Sequence, residues 1–213
     1  MHTKISSSQH VCLWCLKPLY HDSTLFDLFI PLSMLCHSCS SKINKKHLVY
    51  SIEQLQCESM VVYDKDIEHI LFRYKEDGDL PLAPSFFYQS RHYLRKHKDF
   101  VFVLMPSSEE KTKERGFWAL EKMISPYVDN YKTPLIKTKN VKQSQQSLKK
   151  RKEISKSMII TDVSIIKNKK VILVDDVCTT GSTLLSGYKL IAPHAQSVKA
   201  FTFAASSMLF QKQ

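Results

Sequence analysis

Val171-Ile172-Leu173-Val174-Asp175-Asp176-Val177-Cys178-Thr179-Thr180-Gly181-Ser182-Thr183-Leu184 is the stretch that sets the architecture of this chain. Its apolar run, Val171 to Val174, predicts a strand covered on both faces, as in a parallel sheet flanked by helices. Two carboxylates, Asp175 and Asp176, follow at the carboxyl end, where open α/β sheets bind their ligands. A hydroxyl-rich turn comes next, and a helix is predicted over Leu184 to Ile191, ended by Pro193. This order of parts suits a sugar phosphate. The N–H groups of the turn and the first free donors of the helix can hold a phosphate. Thr179, Thr180, Ser182 and Thr183 add hydroxyl donors, and Gly181 gives the backbone freedom that close approach requires. Asp175 and Asp176 can accept hydrogen bonds from ribose hydroxyls. The segment is not a Walker A loop, because no lysine follows Gly181. Simple helix capping would use one hydroxyl and leave the carboxylates without a task. Cys178 reads as a small filler residue.

The chain has 213 residues, enough for one ordinary domain and a small appendage, and 43% are hydrophobic, as in soluble globular proteins. Its longest apolar stretches, such as Phe100 to Met105, are far too short to span a bilayer. The first residues lack the apolar core of a signal peptide, so a cytoplasmic protein with no membrane insertion is expected. The formal net charge is +11, which favours polyanionic partners. The excess is clustered. Lys142, Lys149, Lys150, Arg151 and Lys152 fall in a Lys/Gln/Ser-rich stretch, 139–156, whose composition suggests an exposed or disordered loop. A second cluster holds Arg91, His92, Arg95, Lys96, His97 and Lys98, and a third Lys42, Lys45, Lys46 and His47.

Four of the six cysteines form two C-x-x-C pairs, Cys12 with Cys15 and Cys36 with Cys39. Residues 16–35 separate the pairs. This spacing fits a four-thiolate zinc site built from two knuckles. A closed set of four ligands predicts a structural metal rather than a catalytic one. His37 is placed outside the ligand set, and Cys57 is read as a buried thiol.

The rest alternates. A strand is expected over Met60 to Tyr63, then a helix capped by Asp64 with Ile67, Ile70, Leu71 and Tyr74 inward. Further helices are expected over Leu82 to Lys96 and Trp118 to Val128. Strands are expected over Phe100 to Met105, Thr133 to Lys137 and Ser197 to Ala205. Glu109 to Gly116 reads as a charged loop, and Met158 to Thr161 is ambiguous. Strands alternating with helices imply a parallel sheet.

The 171–184 segment resembles the phosphoribosyl-pyrophosphate (PRPP) motif of type I phosphoribosyltransferases. Together with Cys12, Cys15, Cys36 and Cys39, Phe72-Arg73-Tyr74-Lys75 with Gly78-Asp79, Arg115-Gly116-Phe117, and Gln145 with Leu148, it makes nearly the whole chain resemble the ComF family. The resemblance implies an α/β fold, a type I phosphoribosyltransferase-like parallel sheet flanked by helices over residues 51–213. A four-cysteine zinc module would occupy residues 1–50. It implies Asp175 and Asp176 as the catalytic pair on the ribose hydroxyls. Thr179, Thr180, Gly181, Ser182 and Thr183 would wrap the 5′-phosphate, with Arg115 on the phosphate side. Structural Zn²⁺, and Mg²⁺ accompanying PRPP, are the implied cofactors. The competence branch of the family supports transformation, so three functions stay open. One is a competence protein that binds single-stranded DNA, PRPP or another ribose phosphate, alongside a helicase or strand-exchange protein. Another is a true transferase with Lys113 and Arg115 on the leaving group. The last is a non-catalytic adaptor. The chain departs from the family in having Trp118 and Ala119 after Arg115-Gly116-Phe117, and Met105-Pro106-Ser107 after the central strand. The DNA contacts are assigned to Lys142 and Lys149 to Lys152, and Tyr93 or Trp118 would stack on bases, with core packing favoured for Trp118.

Overall fold

The computed structural model describes residues 11–19, 34–43, 47–137 and 158–210. Lys45, Lys46, Lys142, Gln145, Leu148, Lys149, Lys150, Arg151 and Lys152 lie outside them. In chain order the elements begin with α1 (His37–Ser40), β1 (Leu48–Ile52), β2 (Leu55–Val62), α2 (Lys65–Lys75), α3 (Ala83–Phe87), α4 (Arg91–Lys96) and β3 (Val101–Leu104). They continue with α5 (Glu109–Arg115), α6 (Ala119–Ile124), β4 (Tyr131–Lys132), β5 (Leu135–Lys137), β6 (Met158–Ile160), β7 (Lys170–Cys178), α7 (Ser182–Ile191) and β8 (Ser197–Ala205).

Six strands form one sheet in the order β1-β2-β8-β7-β3-β4. All neighbours are parallel except the β1–β2 hairpin at one edge. Strand side chains alternate between faces, and two cores result. Phe102, Leu104, Ile172, Val174, Phe201 and Phe203 pack on one face against α2, α3 and α6. Val103, Val171, Leu173 and Ala200 pack on the other against α7 and the β5–β6 pair. The buried hydroxyls of Tyr50, Ser59 and Thr202 satisfy one another across β1, β2 and β8.

Several expected elements take the predicted form. Asp64 Oδ1 accepts from the N–H of Ile67 at 2.9 Å and starts α2, which buries Ile67, Ile70, Leu71 and Tyr74. Cys57 and Cys178 are buried, and His37 is exposed. Other elements differ. The charged segment Glu109 to Gly116 is not a loop but α5. Ser108 caps it, Glu109 and Glu110 occupy its first turn, Lys113 and Arg115 its last, and Gly116 closes it at φ 74°. Those charges match the helix dipole, and the glycine supplies the left-handed residue that ends a helix. The expected helix Leu82 to Lys96 is broken into α3, a short 3₁₀ turn and α4. The Trp118 to Val128 helix is confined to α6, with Trp118 at its N-cap. The ambiguous Met158 segment is β6, antiparallel to β5. β7 runs on through Asp175 and Asp176 to Cys178, because β8 keeps pairing with it as far as Ala205.

The cysteine knuckles rest on the α2–α3 face. Cys12, Trp14, Leu35, Cys39 and Ile43 are buried in the same core as Phe203. Trp14 donates its indole N–H to Ser85 Oγ at 2.9 Å and meets Phe203 edge-on. Arg73 of α2 ties the two parts together. Its guanidinium donates to Asp79 Oδ2 at 2.8 Å, to the Trp14 carbonyl at 2.8 Å and to the Leu13 carbonyl. Arg73→Ala strands a carboxylate and two carbonyls. It is expected to lower stability by about 2–3 kcal/mol in urea unfolding, whereas Lys42→Ala, which removes an exposed ion pair with Asp66, should leave the urea midpoint nearly unchanged.

Candidate ribose-phosphate cleft and metal centre

From β3 the chain proceeds to β4 on one side, and from β7 to β8 on the other. The two connections diverge, and such a switch point opens a crevice at the carboxyl ends of the strands. A cleft of about 350 Å³ lies there. The residues after β3, Met105 to Ser108, form one wall. Asp175, Asp176 and Val177 of β7, with Thr183 of α7, form the other, and Lys75, Lys111, Arg115 and Lys137 enter from the sides.

Adjacent strand residues point to opposite faces, so the two carboxylates have different surroundings. Asp176 forms an ion pair with Lys75 at the end of α2, and both side chains are about four-fifths buried. Asp175 Oδ1 accepts from the N–H of Asp176 at 2.9 Å. Burial, and then the neighbouring Asp176 carboxylate, push the Asp175 carboxyl up to about 7; Lys75 and Lys137 act in the opposite sense.

The turn is held from beneath. Gly181 sits at φ 79°, and an added Cβ would collide with Ile52 of β1. Close contact with the hairpin and a left-handed backbone both require glycine there. The Thr180 hydroxyl donates to Ser182 Oγ at 3.1 Å and accepts from the Ser182 N–H at 3.4 Å. Thr180 therefore closes the turn as well as lining it. Thr179, Thr180 and Ser182 are exposed, while Thr183 reaches the cleft. α7 begins at Ser182, so the donors of its first turn open onto this loop.

Arg115 lines the cleft from the last turn of α5. It donates to Glu76 Oε1 at 2.5 Å, and its Nε is buried with no acceptor among the described residues. Lys113, expected beside it, instead pairs with Glu109 at 3.1 Å on the exposed side of the helix. Lys111 takes its place, one turn before Arg115 on the same helical face. Lys75 belongs to the Phe72-Arg73-Tyr74-Lys75 motif and Lys137 to a lysine-rich stretch, but neither they nor Lys111 are expected in the site from sequence. The position of Lys75 in the Phe72-Arg73-Tyr74-Lys75 motif and the four-residue spacing of Lys111 from Arg115 were the available signals. Tyr93 stacks on Phe201 at 4.8 Å and donates to Glu58 at 2.7 Å; it is committed to the interior rather than to base stacking. The Arg91 to Lys98 cluster leads into the amino-terminal end of β3, the end of the sheet away from Asp175.

The sulfurs of Cys12, Cys15, Cys36 and Cys39 all lie within 4.8 Å of one another, and those of Cys15 and Cys36 are 3.7 Å apart. Tetrahedral zinc with bonds of about 2.3 Å sets its ligand sulfurs about 3.8 Å apart, so the residues fit the metal. The knuckles are joined by the backbone, with the Leu13 N–H donating to the Met34 carbonyl at 3.0 Å. Burial opposes ionisation of Cys12, but N–H groups of Cys15, Cys36 and Trp14 aimed at its sulfur bring the thiol down to about 7. Burial and the neighbouring thiols push Cys39 the other way, so without a cation the cluster favours a thiolate at Cys12 and opposes one at Cys39.

Comparison with known proteins agrees with this geometry. Residues 121–207 match the model of the phosphoribosyl transferase domain. The competence protein ComFC of Bacillus subtilis (strain 168) is 28% identical over 92% of this chain and 95% of its own length. Its namesake in Streptococcus pneumoniae (strain ATCC BAA-255 / R6) is 27% identical over 90% and 98%. Among solved structures, the allosteric regulatory enzyme of purine biosynthesis is 19% identical over 53% of this chain and 25% of that chain. Its TM-score of 0.35 is too low to inform the fold. Over most of its length, with the phosphoribosyl transferase match and the clustered cysteines, this chain is similar to the ComF family.

Proposed function

We propose that this protein serves competence, binding a ribose phosphate such as PRPP in the cleft and single-stranded DNA at its rim during DNA uptake. The observation that carries the reading is the gathering of paired carboxylates, four cationic side chains and a hydroxyl-bearing helix start around one crevice. Carboxylates suit ribose hydroxyls, and lysine, arginine and helix N–H groups suit phosphate. The DNA part is supported by charge and connectivity. Residues 138–157, with Lys142, Lys149, Lys150, Arg151 and Lys152, leave from Lys137 and return at Met158, and these two residues are paired. Lys137 lines the cleft, so the densest basic run of the chain is tethered at both ends beside it. A cytoplasmic helicase or strand-exchange protein is the proposed recipient of the strand. The four thiols, kept reduced in that compartment, are assigned to structural zinc.

A second reading, transfer of the ribosyl phosphate to an acceptor, is favoured by Lys75, Lys111 and Arg115 beside the carboxylates. Cations there would stabilise a departing pyrophosphate, and Asp175 and Asp176 would hold the Mg²⁺ that accompanies PRPP. An adaptor role would instead leave DNA uptake intact in Asp175→Ala and Asp176→Ala, provided the fold survives.

Fluorescence anisotropy of labelled single-stranded DNA over a salt series, with and without PRPP and Mg²⁺, tests the main reading. Binding is expected to fall steeply with salt and to weaken when PRPP is added. Glutamine at Lys149, Lys150, Arg151 and Lys152 should flatten the salt slope by up to about 3. Unchanged DNA binding in that variant would remove this segment from the interface, and pyrophosphate release would favour the transferase. Metal analysis should find about one zinc per chain, lost in Cys39→Ser with early hydrogen exchange in the knuckles. The raised Asp175 pKa gives a further expectation. Between about pH 4 and 7 the folded state keeps a proton that the unfolded chain has released, so stability falls as pH rises through that window. Asp175→Asn removes the cost. It should raise the melting temperature at pH 8 by at least about 2 °C, by less at pH 5, while weakening PRPP binding.

A further inference from the structure

The cleft does not end at Pro106 and Ser107. Those residues and Lys137 also line a second pocket, of about 420 Å³, on the other side of α5. Lys111 and Arg115 of α5 face the cleft, whereas Glu109 and Thr112 face the new pocket. Its character is different. Trp118, Leu135 and Ile136 make an apolar lining, and Thr112 and Thr133 add hydroxyls. Trp118 packs against the core yet remains partly exposed, and Ile136 is 44% exposed. The indole Nε1 is buried and has no acceptor among the described residues. Buried polar atoms are nearly always paired, and the indole N–H is a donor only. An apolar slot with an aromatic wall and two threonine hydroxyls thus adjoins a cleft suited to a sugar phosphate. Its size falls within the range of small-molecule pockets.

We propose that this pocket is a nucleobase subsite with Trp118 as its stacking wall. The protein then accommodates all three parts of a nucleotide: phosphate on the 179–183 turn, ribose at Asp175 and Asp176, and base against Trp118. The proposal rests on the ribose-phosphate reading of the cleft. A base has a flat π face for the indole and edges suited to threonine hydroxyls. Stacking is tolerant of base identity, so purine and pyrimidine nucleotides should differ little. The base can be joined to the ribose, as in a nucleotide or strand end, or be a free ring beside the ribose phosphate.

The test compares AMP, ribose 5-phosphate, and adenine added to ribose 5-phosphate, by calorimetry and tryptophan emission. The chain has two tryptophans. Trp14 is buried against Ser85, so quenching reports Trp118. AMP is expected to bind roughly 10-fold more tightly than ribose 5-phosphate, with quenching. Trp118→Ala should reduce AMP to the affinity of ribose 5-phosphate and leave ribose 5-phosphate unchanged. Because Trp118 also packs on the core, Thr133→Tyr gives a second variant. It fills the pocket from an exposed position and should abolish the same advantage. Quenching by AMP alone assigns a joined base, and quenching by adenine with ribose 5-phosphate assigns a free one; both support the subsite. Equal affinity of the unaltered protein for AMP and ribose 5-phosphate overturns the subsite and spares the cleft. Binding of neither overturns the cleft reading and the subsite with it.

Discussion

Parallel pairing of β7 with β3 on one side and β8 on the other is the constraint from which the candidate site follows. The pairing aligns Val101 to Leu104 with Val171 to Val174, and Val171 to Val174 with Val198 to Phe201. Each of these strands has helices or further strands over both faces, so their side chains must be apolar in both directions. The connections beyond their carboxyl ends diverge, one to β4 and one to α7 and β8. Lysines, Arg115, the carboxylates and hydroxyls gather in the gap between them, over a floor that includes Met105 and Leu120. Lys75, Arg115 and Lys137 come from three different elements, and only this divergence lets them meet the β7 carboxylates.

That arrangement carries an electrostatic cost. Two carboxylates on consecutive residues repel, and burial disfavours the charge on Asp175. The Lys75 ammonium offsets part of this by pairing with Asp176. Arg115 is similarly restrained by Glu76, while its buried Nε has no acceptor among the described residues. A fold optimised for stability alone would neutralise or remove such groups. Their presence at one crevice is what an anionic, hydroxylated ligand would relieve.

The knuckles contribute through packing as much as through metal chemistry. Cys12, Trp14 and Cys39 share a core with Phe86, Phe87 and Phe203, and Arg73 secures two knuckle carbonyls to α2. α2 also delivers Lys75 to the cleft two residues later. The cysteine cluster and the cleft thereby share one helix, which holds the knuckles through Arg73 and carries the partner of Asp176.

Local chemistry was enough to read the two cysteine pairs, the Asp64-capped helix, the buried strand and the Asp175 to Thr183 turn. In each the controlling interactions lie within a few residues: thiolate spacing, a cap, an apolar run, a glycine at a tight turn. The α5 helix was equally local, with Ser108, Glu109, Glu110 and Gly116 as its signals, but its charge density masked them. The β1–β2 hairpin under Gly181, the extension of β7 through both carboxylates and the placement of the Arg91 to Lys98 cluster at the end of the sheet away from them were not legible. Each depends on pairing or collision between residues far apart in the chain: Ile52 with Gly181, Cys178 with Ala205, Lys199 with His97. The sequence by itself determined the carboxylate pair, the hydroxyl-rich turn and the two cysteine pairs. Only the tertiary structure decided which of its many lysines stand beside the carboxylates and that Trp118 faces a pocket, because charge placement and residual exposure are set by packing between distant segments.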